Sequence, residues 1–567
     1  MTDGTGSTPG NIPVDEAAHY AAGISGSLGI PDIIARILVA RGITTPGEAS
    51  VFLKPRLNDL SDPFLLPDIE KGIARFVDAI KKGEKICIWG DYDADGISSV
   101  ALAHNFLKNL GIMPIVHIPT REEGYGLHSD KINDLYEQGV NLLVSLDCGS
   151  SNIEEITRAN ELGIDTIVID HHEIGADLPA AYAIINPKRK DSVFPTRDLA
   201  ACGVTFFFLM GLRRVLNKKG MILKHINLKN ELDLVTIGTV GDMVPLTGDN
   251  RVLVRHGIEV MNRAPRAWLR SMLGNKMISK GLINEFALGF IIIPRINAAG
   301  RVSRPDPSLD FLVSPDDDTA LALLGQLQKA NNLRQTLEKK IHGQIVNDIS
   351  ASGLTGRKSI VVFDEKWHAS AGVLGIVAQK LTEQYGKPAI VMTMVNGIWK
   401  GSGRGREGMD LFETICSLSP LLLKYGGHKY ACGISLADEN VRFFADAFER
   451  SMEGVTLSRK RSVHIDTAAG FDELTIDVME LFEKIGPFGI GNPRPNLVFE
   501  AAGVYTAGNG RTRIVDHSSR TWYGFYSSGG SVQQDGFARI IASPNVRMEM
   551  GEKFINLNIK EISTGES

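Results

Sequence analysis

A chain of 567 residues is too long for one hydrophobic core, and 43% hydrophobic with 22% charged residues is the make-up of an ordinary folded protein of several domains. The formal net charge of -5 excludes a protein that coats nucleic acid through bulk positive charge, while leaving room for a local basic groove. Five cysteines (Cys87, Cys148, Cys202, Cys416 and Cys432) are odd in number with no C-x-x-C pair, which argues against zinc knuckles and a disulfide framework and for a reducing, cytoplasmic setting.

In chain order, "MTDGTGSTPGNIPVDE" lacks a basic segment followed by an apolar run and reads as a short disordered lead-in, not a secretory signal. Residues 20–84 carry apolar positions at three- and four-residue spacing and are expected to be helical. "KICIWGD" then changes the pattern to a short apolar run ending in a loop, followed by the helical "ISSVALAHNFLKNLG". The same strand, loop and helix order recurs at "NLLVSLDCGSSNIEEITRANELG" and at "DTIVIDHHE", which predicts α/β architecture with a parallel sheet. Helical text follows through "ELDLVTIGTVGDMVPL". A single long helix is expected over residues 315–350, striped by Leu323, Leu327, Ala330, Leu337, Ile341 and Ile345, as a strut between domains.

A second α/β stretch reads "KSIVVFDE", "GVLGIVAQKLTEQYG" and "PAIVMTMV", followed by a glycine-rich "KGSGRGREG" and "YGGHKYACG". From residue 456 onward five short strands separated by Gly, Asn, Asp and Ser turns predict an all-β module. The longest apolar stretches, "GVTFFFLMGL" and "FALGFIII", fall short of the ~18 residues of a membrane helix.

"WGDYDADGISS" places Asp91, Asp93 and Asp95 at alternate positions before Gly96, the spacing that opens an EF-hand calcium loop. Such a loop needs a glutamate at its twelfth position, which here is Leu102, and is entered from a helix, not from a strand. The other reading is a catalytic cluster at the carboxyl ends of parallel strands. It requires ligands at neighbouring strand ends, and Asp147, Asp170-His171-His172 and Asp242 each close an apolar run. One aspartate after a strand is more often a helix cap, but four such segments together fit a two-metal site, whose oxygen-rich donors suit Mn²⁺ or Mg²⁺.

"GDYDADG", "SLDCG", "VIDHHE" and "GTVGDMVPL" resemble, in this order, the motifs of the DHH phosphoesterase superfamily, and "KYGGHKYACG" resembles its accessory DHHA1-type substrate-binding domain. "ARILVARGITTPGEASVFLKP", "IPTREEGYGL", "PRINAAGR", "WHASAGVLGIVAQKL", "GSGRGREG" and "PFGIGNPRP" are similar to the RecJ-type exonucleases of that superfamily, from about residue 28 to the end. The resemblance implies an N-terminal helical extension of the catalytic domain (1–84), a DHH catalytic domain (85–314), the connecting helix (315–350), a DHHA1-like domain (351–455) and a C-terminal OB-fold-like β-barrel (456–567). It implies metal ligands Asp91, Asp93, Asp95, Asp147, His171 and Asp242, with Asp147 bridging. His172 would stabilise charge or protonate the leaving oxygen, and Asp170 would orient a histidine. The family's pyrophosphatases carry a histidine where this chain has Trp89.

A terminal phosphate needs guanidinium and hydroxyl donors, for which Arg121, Arg295, Asn297, Arg301, Ser402, Arg404 and His428 are the candidates, with the glycines of "KGSGRGREG" letting backbone amides approach. In the C-terminal module Trp522, Tyr523, Phe525 and Tyr526 are candidate stacking platforms, beside Arg511, Arg513 and Arg520. By period-2 geometry only one pair, Trp522 with Tyr526 or Tyr523 with Phe525, can face outward. The expected activity is hydrolysis of single-stranded DNA 5′→3′ to 5′-mononucleotides in recombination and repair. A helicase and a single-strand-binding protein are expected partners, and a monomer is expected, with no membrane association. The alternatives are a DHH-type oligoribonuclease or nucleotide phosphodiesterase, and a non-catalytic nucleic-acid-binding scaffold.

Overall fold

Short apolar strands, each followed by a helix, pair in parallel because the helix carries the chain back across the sheet. In the computed structural model, which describes residues 12–175, 177–222, 226–279, 283–352, 356–456, 463–526, 532–549 and 552–564, this gives a first sheet of β1 (Lys85–Trp89), β2 (Ile115–His117), β3 (Val140–Leu146), β4 (Asp165–Ile169) and β5 (Ala183–Ile185). The order is β2-β1-β3-β4-β5, with every neighbour parallel. The expected lead-in at residues 1–11 lies outside the described residues. The three-residue strands β2 and β5 are too short to carry a periodic signal in the sequence.

A second sheet holds β6 (Ile360–Phe363), β7 (Ala389–Val395), β8 (Ile398–Arg404), β9 (Lys424–His428) and β10 (Ala431–Leu436) in the order β6-β7-β8-β10-β9. Strand β8 corrects the reading of "KGSGRG" as a loop whose amides approach a phosphate. It lies between β7 and β10, so its backbone belongs to two antiparallel ladders. Its glycines answer a packing demand: a Cβ at Gly401 would lie 2.5 Å from Met392 Cγ, and one at Gly403 would lie 2.5 Å from Cys432 Sγ. The long helix runs Asp317–Ser352, with Leu327, Ile341 and Ile345 of the expected stripe buried and Leu323, Ala330 and Leu337 half-buried.

The chain divides into two compact units, residues 62–242 with 257–461, and residues 1–61 with 243–256 and 462–567. Both sheets and the long helix belong to the first. Helical periodicity in residues 1–84 shows that a face is buried but not against what, and the structure divides that stretch. The helix Ile69–Lys82 packs on the parallel sheet, where Gly72 meets Ile185. Helices Val14–Leu28, Asp32–Ala40 and Pro46–Leu53 instead share a core with the C-terminal module, in which Ile34 and Leu38 join Phe482 and Phe499.

That module contains β11 (Thr467–Ala468), β12 (Leu497–Thr506), β13 (Arg511–Val515), β14 (Thr521–Tyr526), β15 (Gln533–Glu549) and β16 (Glu552–Thr564). Strands β12-β13-β14-β16-β15 follow one another, and β15 pairs back to β12, closing a five-stranded OB-like barrel in which β14 and β16 run parallel. The parity of the aromatics on β14 is now fixed. Trp522 and Tyr526 pack against the barrel core, whereas Tyr523 is 64% and Phe525 44% exposed. Trp522 lies 5.3 Å from the Phe471 ring and donates its indole N–H to Asp516 at 3.1 Å, which ties it to the barrel. Trp522→Ala should therefore lower unfolding stability in urea by about 2–4 kcal/mol, against less than about 0.5 kcal/mol for Tyr523→Ala.

Candidate metal centre and phosphate pocket

The aspartate loop is tight because Gly96 permits it. A Cβ there would lie 2.6 Å from the backbone N and O of Asp91. Asp93 caps the helix Ala94–Asn109, its Oδ1 accepting from the amides of Asp95 at 2.9 Å and Gly96 at 3.1 Å. Asp95, buried in the first turn, accepts from Ala201 N at 2.6 Å and Cys202 N at 2.9 Å, at the start of the helix Ala201–Lys218. Gly238 gives it room, since a Cβ there would lie 2.5 Å from Asp95 Oδ1. Asp147 follows β3 with φ at 65°, a conformation few non-glycine residues adopt. Asp170, His171 and His172 follow β4.

Asp242 departs from the expected pattern. It ends the helix Leu232–Gly241, in keeping with the helical text there but not with a strand end, so the fourth donor reaches the centre from a helix C-terminus.

Three sets of donor atoms converge within 4.8 Å: Asp91, Asp93 and Asp147; Asp95, His171 and Asp242; and Asp147, His171 and His172. Asp147 is shared between the first set and the third, as a bridging carboxylate would be. His171 Nε2 stands 3.2 Å from Asp147 Oδ1 and 3.9 Å from Asp95 Oδ2, and its Nδ1 stands 3.6 Å from Asp242 Oδ2. Asp91 Oδ1, Asp147 Oδ1 and His171 Nε2 are buried with no hydrogen-bond partner. Burial and then the charge of Asp93 push Asp91 up to about 8, and burial with Asp95 and Asp93 pushes Asp242 up to about 8. Burial, Asp95 and Asp93 also hold Asp147 well above the usual carboxylate range. Orphaned donor atoms and carboxylates crowded against one another are both relieved by divalent cations, so these residues fit the implied metals.

Asp170 stands apart. Its Oδ1 accepts from His171 N at 2.7 Å, His172 N at 3.2 Å and His172 Nδ1 at 2.7 Å, and its Oδ2 accepts from Ser150 N at 3.0 Å. Burial alone would raise it, but the charge and hydrogen bond of His172 hold it well below the usual range. Tyr125, which sequence reasoning missed, donates to the Asp147 carbonyl at 2.9 Å and reaches His172 Nδ1 at 3.0 Å.

Beside the carboxylates lies a group of arginines. The guanidinium of Arg121 sits 4.1 Å from the centroid of the Tyr92 ring, Arg301 donates to the Gly372 carbonyl at 3.1 Å, and Arg404 to the Gly403 carbonyl at 2.8 Å. Among the described residues none of the three has a carboxylate at ion-pair distance. Burial first, then Arg121, Arg334 and Arg404 against Asp93, lower Arg301 to about 9. Ser402 shares the face of β8 with Arg404, two residues on. Asn297 has a buried Oδ1 with no partner. The ionisation of His428, on β9, is held down by loss of solvent and then by His172, Lys188 and Arg404.

Arg295 is placed otherwise. It donates to Gln328 Oε1 at 2.9 Å and to the Ile291 carbonyl at 2.6 Å, clamping its helix to the long one. Six residues along a helix are about 600° of rotation, so Arg295 and Arg301 cannot share a face.

A family model for the DHH family, N-terminal domain, matches residues 85–239, and one for the DHHA1 domain matches residues 357–454. The single-stranded-DNA-specific exonuclease RecJ of Bacillus subtilis (strain 168) is 33% identical over 481 residues, which are 84% of this chain and 59% of that protein. The RecJ of Escherichia coli (strain K12) is 32% identical over 502 residues, 85% of this chain and 84% of its own length. The crystal structure of RecJ from Thermus thermophilus in complex with Mn²⁺ matches with a TM-score of 0.83 at 24% identity, covering 98% of this chain and 79% of that one. With four motifs converging on one centre and identity sustained along most of its length, the chain belongs to the RecJ family of the DHH superfamily.

Proposed function

We propose that this chain is a metal-dependent exonuclease that degrades single-stranded DNA 5′→3′ to 5′-mononucleotides. The observation that carries this reading is the placement of half-buried arginines with no carboxylate at ion-pair distance beside a carboxylate–histidine cluster, with Asp93 within electrostatic reach of Arg301. A terminal phosphate held by Arg121, Arg301, Arg404 and Ser402 would bring the adjoining phosphodiester to the cluster. Asp91, Asp93, Asp95, Asp147, His171 and Asp242 would hold Mn²⁺ or Mg²⁺. When bound, the cations supply the Lewis acidity that polarises the scissile phosphate. His172, kept protonated by Asp170, faces the same space and can give its proton to the leaving oxygen. His428 and Asn297 would contact the strand backbone.

Domain limits that go with this reading are 85–314 for catalysis, 351–455 for substrate binding and 456–567 for holding the strand, with the helix 315–350 between the first two. In the last of these, Arg511 and Arg513 stand across from Phe525 and Tyr523 on β13 and β14, the strands OB folds use for nucleic acid. Tyr523→Ala should weaken single-strand binding by about tenfold, measured by fluorescence anisotropy, without loss of stability. Among the described residues no helix is long and apolar enough to cross a membrane. A cytoplasmic location, monomeric state, and a helicase and single-strand-binding protein as partners belong to the proposal.

Ordered loss of nucleotides from the 5′ end of labelled single-stranded DNA, dependent on Mn²⁺ or Mg²⁺ and abolished by EDTA, is the expected result. Endonucleolytic products, or preference for short RNA, would overturn it. The metal centre has a readout of its own. Asp91 and Asp242, near 4 in an unfolded chain, rise to about 8 here, so between those values the folded state holds more protons and loses stability as pH rises. Metal-free protein should therefore melt higher at about pH 6.5 than at about pH 8. The gain in melting temperature on adding Mn²⁺ should be larger at the higher pH, where protons no longer compete.

A further inference from the structure

The long helix Asp317–Ser352 carries Asn331, Arg334 and Glu338 at offsets of three and seven, on one face. For a connecting strut these positions should be solvated, but Asn331 is 3% and Glu338 6% exposed, and the Arg334 side chain is 14% exposed. Two of their atoms, Asn331 Oδ1 and Arg334 Nε, are buried without a hydrogen-bond partner, as are Arg121 Nε and Asn297 Oδ1. An unpaired buried polar atom costs free energy unless a ligand or water completes it.

The charges near Arg334 are not balanced either. Arg334 Nη1 stands 3.4 Å from Glu338 Oε2, but Lys380 of the helix Leu374–Tyr385 is ion-paired to the other oxygen of the same carboxylate. One carboxylate is thus shared by two cations. Arg334 also lies within electrostatic reach of Arg301, as do Arg121 and Arg404, with Asp93 as the opposing charge.

Building on the exonuclease reading, we propose that Arg334 and Asn331 of the long helix line the pocket for the terminal phosphate, and that Arg334 is a determinant of preference for a phosphorylated over a hydroxyl 5′ end. A phosphate monoester carries close to two negative charges and three acceptor oxygens, more than a diester can present. Glu338 holds the guanidinium in place without neutralising it, because Lys380 already shares that carboxylate. Asn331, one turn earlier, can turn its amide towards the same oxygens.

The test compares 5′-phosphorylated and 5′-hydroxyl single-stranded DNA of one sequence, by kcat/KM with Mn²⁺ and by anisotropy binding in EDTA. Arg334→Met should lower kcat/KM and affinity for the phosphorylated strand by about 10- to 100-fold and leave the hydroxyl strand within about threefold. Arg334→Lys, which keeps the charge, should recover part of the preference, and Asn331→Leu should show a smaller loss of the same kind. Equal losses on both strands, or no loss on either, overturn the inference. An active wild-type enzyme indifferent to the 5′ group overturns it while leaving the exonuclease reading, and an enzyme inert on single strands overturns both.

Discussion

Asp147→Asn is expected to lower turnover on single-stranded DNA by at least about 10³-fold while leaving the metal-free protein as stable as the parent, or more so. The two effects have one cause. Asp147 is the carboxylate common to two of the three convergent sets, so it is the residue that would serve both cations of a two-metal site. Without a cation the same carboxylate is a burden, buried and repelled by Asp95 and Asp93. An asparagine removes that repulsion. It also suits the backbone, because φ at 65° is a conformation asparagine tolerates better than most residues. Steady-state rates on a 5′-labelled strand and melting curves in EDTA check both halves. Activity within tenfold of the parent would remove Asp147 from the bridging position, and a large fall in melting temperature would show a structural role instead.

How much of this was legible in the sequence depended on whether the signal was local. The loop at Asp91, Asp93 and Asp95, and the donors after β3 and β4, follow short apolar strands, so their place at a sheet edge could be read directly. The element before Asp242 reads as helical and is a helix, but its closing aspartate groups with the strand ends. Leu232–Gly241 is apolar on every side, with buried Leu234, Val235 and Ile237 in succession, and an all-round apolar run has no period that separates a buried helix from a buried strand. Strand β8 failed for the opposite reason. Glycine is unfavourable in strands, so "KGSGRG" reads as a loop until Met392 and Cys432 show why no side chain fits there.

The phosphate pocket was legible as residue types and not as an assembly. Arg295 and Arg301 sit in one motif with equal claims, and only helix rotation and the bond to Gln328 separate them. Aromatics at both parities of β14 likewise left its outward face open until the barrel closed. Arg334 had no signal at all, since an arginine on a long polar helix looks like solvated surface until the helix is packed.

Asp170→Asn and His172→Gln, made singly and together, should give a strongly non-additive cycle. Three of the four hydrogen bonds that Asp170 accepts come from the turn after β4 and the fourth from Ser150 N, and its 2.7 Å contact with His172 Nδ1 leaves Nε2, 3.5 Å from the Tyr125 hydroxyl, as the ring atom available to substrate. Burial opposes a charged His172, but the charge and hydrogen bond of Asp170 outweigh it and raise the imidazole to about 9. An amide at position 170 offers no anion, and its NH₂ would confront the Nδ1 proton, so the imidazole loses both its charge and its orientation. Loss of His172 should cost about 10²- to 10⁴-fold in kcat, as for a general acid, and Asp170→Asn about 10²- to 10³-fold. If Asp170 acts only by positioning His172, the double variant should fall no further than His172→Gln alone, within about threefold. Additive losses would mean that Asp170 serves the centre by another route. An Asp170→Asn enzyme within a few-fold of the parent would mean that Tyr125, 3.0 Å from the same nitrogen, suffices to hold the ring.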